Sequence, residues 1–164
     1  MRRATATAAI LAALPAFAQD PASAPGVDPE AVAMSEYGEV AAPLTDAPGS
    51  AESGAEVVAD RGKGNCVACH QISALSEVPW HGEVGPSLDG VADRWGEAEL
   101  RGILVNAKAM FPGTIMPAFY KTSGFVRPGD GFTGKAAPAE LAPLLTAQEV
   151  EDAVAFLLTL KEDG

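Results

Sequence analysis

Two thiols and an imidazole fall within five positions at Cys66-Val67-Ala68-Cys69-His70, and no other stretch of the sequence gathers as much reactive chemistry. Thiols at this spacing can add to the two vinyl groups of one haem, forming two thioethers, while the adjacent imidazole is held against the iron as an axial ligand. Other uses of the pair fit less well. Structural zinc takes four Cys or His ligands, usually in two pairs, and only His81 remains to join the set. A thioredoxin-like redox pair expects strand-helix alternation around it, which is not visible here. A plain disulfide between these two cysteines would staple very little chain and would leave His70 without a task. The motif therefore predicts one covalently attached haem c, bound through Cys66 and Cys69, with His70 on the metal.

The iron then needs a sixth ligand or an open position. Met34, Met110, Met116 and His81 are the candidates, with Lys121 and Lys135 as outsiders. Met34 precedes the motif, which is topologically awkward. Met110 ends a predicted helix, where a thioether more simply fills a gap in the core. Met116 is followed by Pro117, which biases it toward extended backbone and removes one amide donor. An extended segment can cross the haem face and point a thioether at the iron, so Met116 leads. Gly85-Pro86 can pass along the haem edge and leave the Pro86 carbonyl to the Nδ1–H of His70, fixing the tautomer. An ordinary turn is the plain alternative. Arg94, Arg101, Lys121 and Arg127 are scarce cations that could pair with haem propionates, and Arg94 beside Trp95 is the first choice among them.

The elements that must position these residues are helical. Ser50 can cap a helix running to about Asp60, with Val57 and Val58 on its apolar side and Gly54 inside it. A second helix is predicted over Glu97 to Ala107, where Leu100, Ile103, Leu104 and Ala107 share one face. Thr146 and Glu149 form a capping box for a third, whose stripe is Val150, Val154, Leu157, Leu158 and Leu160. Phe125-Val126-Arg127 and Phe132-Thr133 could pair as a small hairpin. The predicted fold is all-α with long irregular loops.

Met1-Arg2-Arg3, the apolar run Ala8 to Phe17 and the small-x-small sequence Ala16-Phe17-Ala18 fit a secretory signal peptide. That gives a leader over 1–18, an arm over 19–49 with a brief helix-like patch from Asp28 to Tyr37, and a domain over 50–164. The arm is rich in Pro, Ala, Gly and acidic residues, a composition that reads as linker rather than core. A retained membrane anchor is the plain alternative; with cleavage no span would remain, and export would place the protein in the periplasm. The formal charge is −11, with 22 acidic against 11 basic residues, and becomes −13 once Arg2 and Arg3 leave. This argues against nucleic acid or anionic lipid as a partner and suits docking on a basic surface.

The stretches 64–70, 84–94 (Val84-Gly85-Pro86-Ser87-Leu88 onward), Thr114-Ile115-Met116-Pro117-Ala118-Phe119-Tyr120 and 145–152 together resemble the SoxX family. SoxX is the monohaem subunit of the SoxAX cytochrome complex of bacterial sulfur oxidation, and the resemblance extends from about Met34 to Leu160. The haem motif and Gly-Pro are shared by many class I cytochromes c, whereas the Met116 to Tyr120 run and Val40-Ala41-Ala42-Pro43-Leu44 discriminate better. One departure is 136–143, longer than the family's usual link into the last helix. The resemblance implies a class I cytochrome c-like domain in which the Gly54 region packs on the last helix near Phe156, and Met116 at the family's ligand position. It also implies a SoxA-like partner that joins thiosulfate to a cysteine of a SoxYZ-like carrier (L-cysteine S-thiosulfotransferase). This chain would accept electrons and pass them to a small cytochrome. A free-standing periplasmic electron carrier is the rival reading, and the cytochrome subunit of another dehydrogenase is a third.

Overall fold

The structure is a computed structural model that describes residues 26–162 apart from 127 and 130–132. Among the described residues there are four α-helices and no strand: α1 (Ala51–Ala59), α2 (Val91–Arg94), α3 (Glu97–Met110) and α4 (Ala147–Leu157). The predicted leader lies outside the described residues, as does much of the predicted hairpin, including Arg127 and Phe132. In its neighbourhood a single antiparallel bridge joins Gly129 to Ala136. No described helix is long and apolar enough to cross a membrane.

The first and last helices form where their caps predicted. Ser50 Oγ accepts from the Ser53 amide to start α1. Thr146 and Glu149 close the reciprocal box at α4, with Thr146 N–H donating to Glu149 Oε2 at 2.8 Å and Glu149 N–H to Thr146 Oγ1 at 3.2 Å. α1 then crosses α4 at Gly54. A methyl group there would overlap the Asp152 carbonyl and lie 2.8 Å from the Phe156 Cβ, so only a residue without a side chain lets the backbones meet. This is the pairing that the resemblance implied. Val57 and Val58 from α1 join Val150, Val154 and Leu157 from α4 in the core.

Lys63, in the turn leading to the cysteines, reaches Glu149 Oε1 at 2.9 Å and ties that turn to α4. Burial pushes the Glu149 carboxyl up, but Thr146 and Lys63 outweigh it and hold the group below its ordinary value. A depressed folded pKa stabilises above the unfolded value and loses that contribution as pH falls through the folded one. Urea unfolding of Glu149→Gln should therefore show a shallower loss of stability below about pH 4.5 than the parent chain. Superimposable pH profiles would rule out this contribution.

The segment before α1 differs from expectation. It has one short 3-10 turn at Pro29–Ala31 in place of a helix over 28–37, and it is not merely a linker, because Val40 and Leu44 belong to the core. The reason lies in polar chemistry as much as in apolar side chains. Arg101, 1% exposed, donates through Nε to Glu151 Oε1 at 2.8 Å, through an Nη to Glu151 Oε2 at 3.0 Å and through the other to the Val40 carbonyl at 2.9 Å. It also pairs with Glu97. The Leu44 amide donates to the same Glu151 Oε1 at 2.8 Å. A buried pair thus satisfies the backbone of a segment too short of apolar residues to pack unaided.

The second long helix runs three residues past its predicted end, but with a break. Asn106 (φ −157°, ψ 85°) is non-helical, and the axis kinks there. A backbone in this conformation cannot carry the regular i to i−4 ladder across it. The carbonyls of Leu104 and Val105 instead accept from the amides of Phe119 and Tyr120 at 3.0 and 3.4 Å.

Candidate functional site

Asn65 adopts a left-handed conformation (φ 47°, ψ 38°) and starts a 3-10 turn over Cys66–Ala68 that packs on α1. The turn is closed by the Cys69 and His70 amides, which donate to the Cys66 carbonyl at 3.1 and 2.9 Å. Both cysteines are half-buried, and no disulfide joins them. Burial pushes the Cys66 thiol up to about 12, so at neutral pH it is protonated, unlike the low-pKa thiolate of a redox dithiol. A chain of close backbone contacts then brings residues 82–89 onto the motif. Gly82 N–H donates to the Val67 carbonyl and Gly85 N–H to the Cys69 carbonyl, both at 2.8 Å.

This return run sets the imidazole. His70 Nδ1 lies 2.6 Å from the Pro86 carbonyl oxygen, an arrangement that makes Nδ1 the donor and leaves Nε2 as the nitrogen able to ligate a metal. The ring packs against Gly85, where a Cβ would overlap Cε1 and lie 2.6 and 2.8 Å from Nδ1 and Nε2. Arg94, exposed at the end of α2, donates to the carbonyls of Ser87 and Asp89 at 2.9 and 2.8 Å. Asp89 in turn accepts from the Ser73 amide at 2.8 Å and from its hydroxyl at 2.7 Å. Cys66, Cys69, His70, Pro86 and Arg94 are therefore linked through one hydrogen-bonded unit. The donor set fits haem c: two thiols three positions apart and one imidazole with a fixed tautomer. Among the described residues no cluster of three His, Cys, Asp or Glu could hold a bare metal ion.

Met116 belongs to a different unit. It is partly buried against the same core that Cys66 touches, on the stretch that docks on the kinked end of α3. Lys108 Nζ donates to its carbonyl at 2.6 Å, and its amide donates to Thr114 Oγ1 at 3.2 Å. The rival His81 accepts from the Ile72 amide through Nδ1 at 3.2 Å, and its Nε2 is buried with no hydrogen-bond partner among the described residues. Arg101, offered from sequence as a propionate cation, is not available, because Glu151, Glu97 and Val40 take its donors. Lys121 Nζ stands 5.4 Å over the Phe125 ring. Sequence reasoning missed the support that Arg94 gives to the Pro86 loop. Trp80 is held at φ 68° and is 85% exposed, a conformation that no local pattern signals.

A profile of the cytochrome c family matches residues 51–161. Among solved structures, a chain of SoxXA from P. pantotrophus is 58% identical, with a TM-score of 0.78, over 84% of this chain and 99% of that one. No curated protein sequence matches significantly.

Proposed function

We propose a function from one premise: the chain belongs to the cytochrome c family and carries covalently bound haem c. It is the monohaem, SoxX-like subunit of a thiosulfate-oxidising complex, located in the periplasm. The observation that carries this reading is the 58% identity to a chain of SoxXA across nearly all of that chain. Haem held here supplies a one-electron ferric/ferrous couple. The residues of this chain do the rest. Cys66 and Cys69 hold the group in place, His70 ligates through Nε2, and Pro86 keeps the imidazole from rotating. Arg94 stiffens the Pro86 loop and remains the candidate cation for a propionate.

Joining thiosulfate to a carrier thiol forms a sulfur–sulfur bond and releases two electrons and one proton. This chain would hold a single one-electron group through Cys66, Cys69 and His70, so a downstream acceptor would have to reoxidise the subunit between the two electrons. The nucleophilic steps belong to a SoxA-like partner, because both cysteines here are consumed by haem and the chain holds no others. The SoxYZ-like carrier and a small acceptor cytochrome would then meet the complex transiently. The purified chain alone should show no thiosulfate-dependent turnover with the carrier, and should gain it when the partner subunit is added. Full turnover by the chain alone would overturn the assignment and favour a different enzyme, whereas tight function without any partner subunit would favour the free-standing carrier.

Met116 is the sixth ligand in this reading. The support is its soft thioether, its place before Pro117 and the docking of the nearby Phe119 and Tyr120 amides on α3. Met116→Ala should remove the sulfur-to-iron absorption band at the red end of the ferric spectrum and lower the reduction potential, since a replacement oxygen or nitrogen ligand favours ferric iron. Met110→Ala should leave the band in place. The opposite pattern would exclude Met116.

A further inference from the structure

The stretch that bears Met116 is fastened on two sides. Its inner side rests on the kink of α3, through the Leu104 and Val105 carbonyls and Lys108. Across its outer side runs the beginning of the described chain, more than ninety residues away in sequence. Tyr120 Oη donates to the Val27 carbonyl at 2.5 Å. The hydroxyls of Thr122 and Ser123 donate to the two carboxylate oxygens of Glu30 at 2.7 and 2.9 Å. Both hydroxyls hold the Glu30 carboxyl below its usual value. The strap is itself anchored. Val27 N–H donates to the Leu44 carbonyl at 2.8 Å, and the Leu44 amide ends on the buried Arg101–Glu151 pair.

We propose that residues 26–31 form a strap that positions Met116, with Glu30 and Tyr120 as positioning residues that set how readily the thioether leaves the metal. This rests on Met116 as the sixth ligand. A small exogenous ligand can take the sixth position only when the Met116 segment swings aside. That opening is a local one, and its population depends on the contacts broken rather than on global stability. The strap hydrogen bonds to Tyr120, Thr122 and Ser123 are broken in such an opening, while the α1–α4 packing need not be. The strap is therefore a lock on one ligand, in addition to being part of the fold.

The test is imidazole titration of the ferric holoprotein, read by loss of the sulfur-to-iron band. Tyr120→Phe keeps the buried ring and removes only the donor, and Glu30→Ala alters an exposed side chain, so both should fold. Each single variant should bind imidazole about threefold more tightly than the parent, and the double variant about tenfold. Glu52→Ala, which removes an exposed carboxylate from the first turn of α1, should bind as the parent does. A double variant with parental imidazole affinity and an intact band would overturn the strap. If the parent lacks the band and Met116→Ala leaves its spectrum unchanged, the ligand assignment fails instead, and the strap's proposed role falls with it.

Discussion

Arg101→Ala should cost about 3–5 kcal/mol of folding free energy, because it leaves Glu151 as an uncompensated buried carboxylate. Glu151 loses both hydrogen bonds from the guanidinium, at 2.8 and 3.0 Å, and keeps only the Leu44 amide among its described partners. The Val40 carbonyl loses its donor in the same change. For a domain of this size the loss should appear as a fall in melting temperature on the order of 10 °C. The segment 26–49 should also become an early site of proteolysis, since the pair holds it to α3 and α4. Replacing both charges together, Arg101→Met with Glu151→Leu, should be far milder than Arg101→Ala, because no unpaired charge then remains. A loss below about 1 kcal/mol for Arg101→Ala would place the pair among screened surface bridges and refute its anchoring role.

Gly85→Ala should disturb the haem site more than any other single methyl addition. The added Cβ would overlap the His70 ring, and the glycine cannot retreat easily because its amide is bonded to the Cys69 carbonyl. Either the imidazole rotates away from Pro86 or the 82–89 run lifts from the motif. Overpacking of this kind costs about 1–3 kcal/mol, and here it falls on the ligand itself. The holoprotein should show a changed ferric spin state and a shifted potential, with a lower yield of haem-loaded chain. A parental spectrum and potential in Gly85→Ala would mean that the ring has room and that Gly85 does not set it. Ala92→Gly, on the neighbouring short helix, is the matching change that should leave the spectrum alone.

Where side chains close to one another in sequence decide a feature, the sequence alone was sufficient. Cys66, Cys69 and His70 lie within five positions, so their joint chemistry needs no fold to be recognised. The caps at Ser50 and Thr146 act over three residues, and both helices begin where those residues place them. Gly54 carried its meaning only through resemblance, but a lone glycine within an apolar helix already suggests a close approach.

The remainder depended on partners far apart in the chain. The segment 26–49 looks like a linker by composition because its polar backbone is satisfied by Arg101 and Glu151, which are more than fifty residues beyond it. Each of those charges stands on an apolar helix face, beside Leu100 and Leu104 or Val150 and Val154, and that mismatch was the available signal. The kink at Asn106 was less legible, since a residue of modest helix propensity is common in helices and only the docking of Phe119 and Tyr120 gives the break its use. Short-range chemistry therefore fixed the cofactor and its attachment. Tertiary structure decided how the Met116 stretch is held, because Lys108 and the Leu104 and Val105 carbonyls reach it from α3, whereas the Pro86 carbonyl on His70 was already readable from Gly85-Pro86.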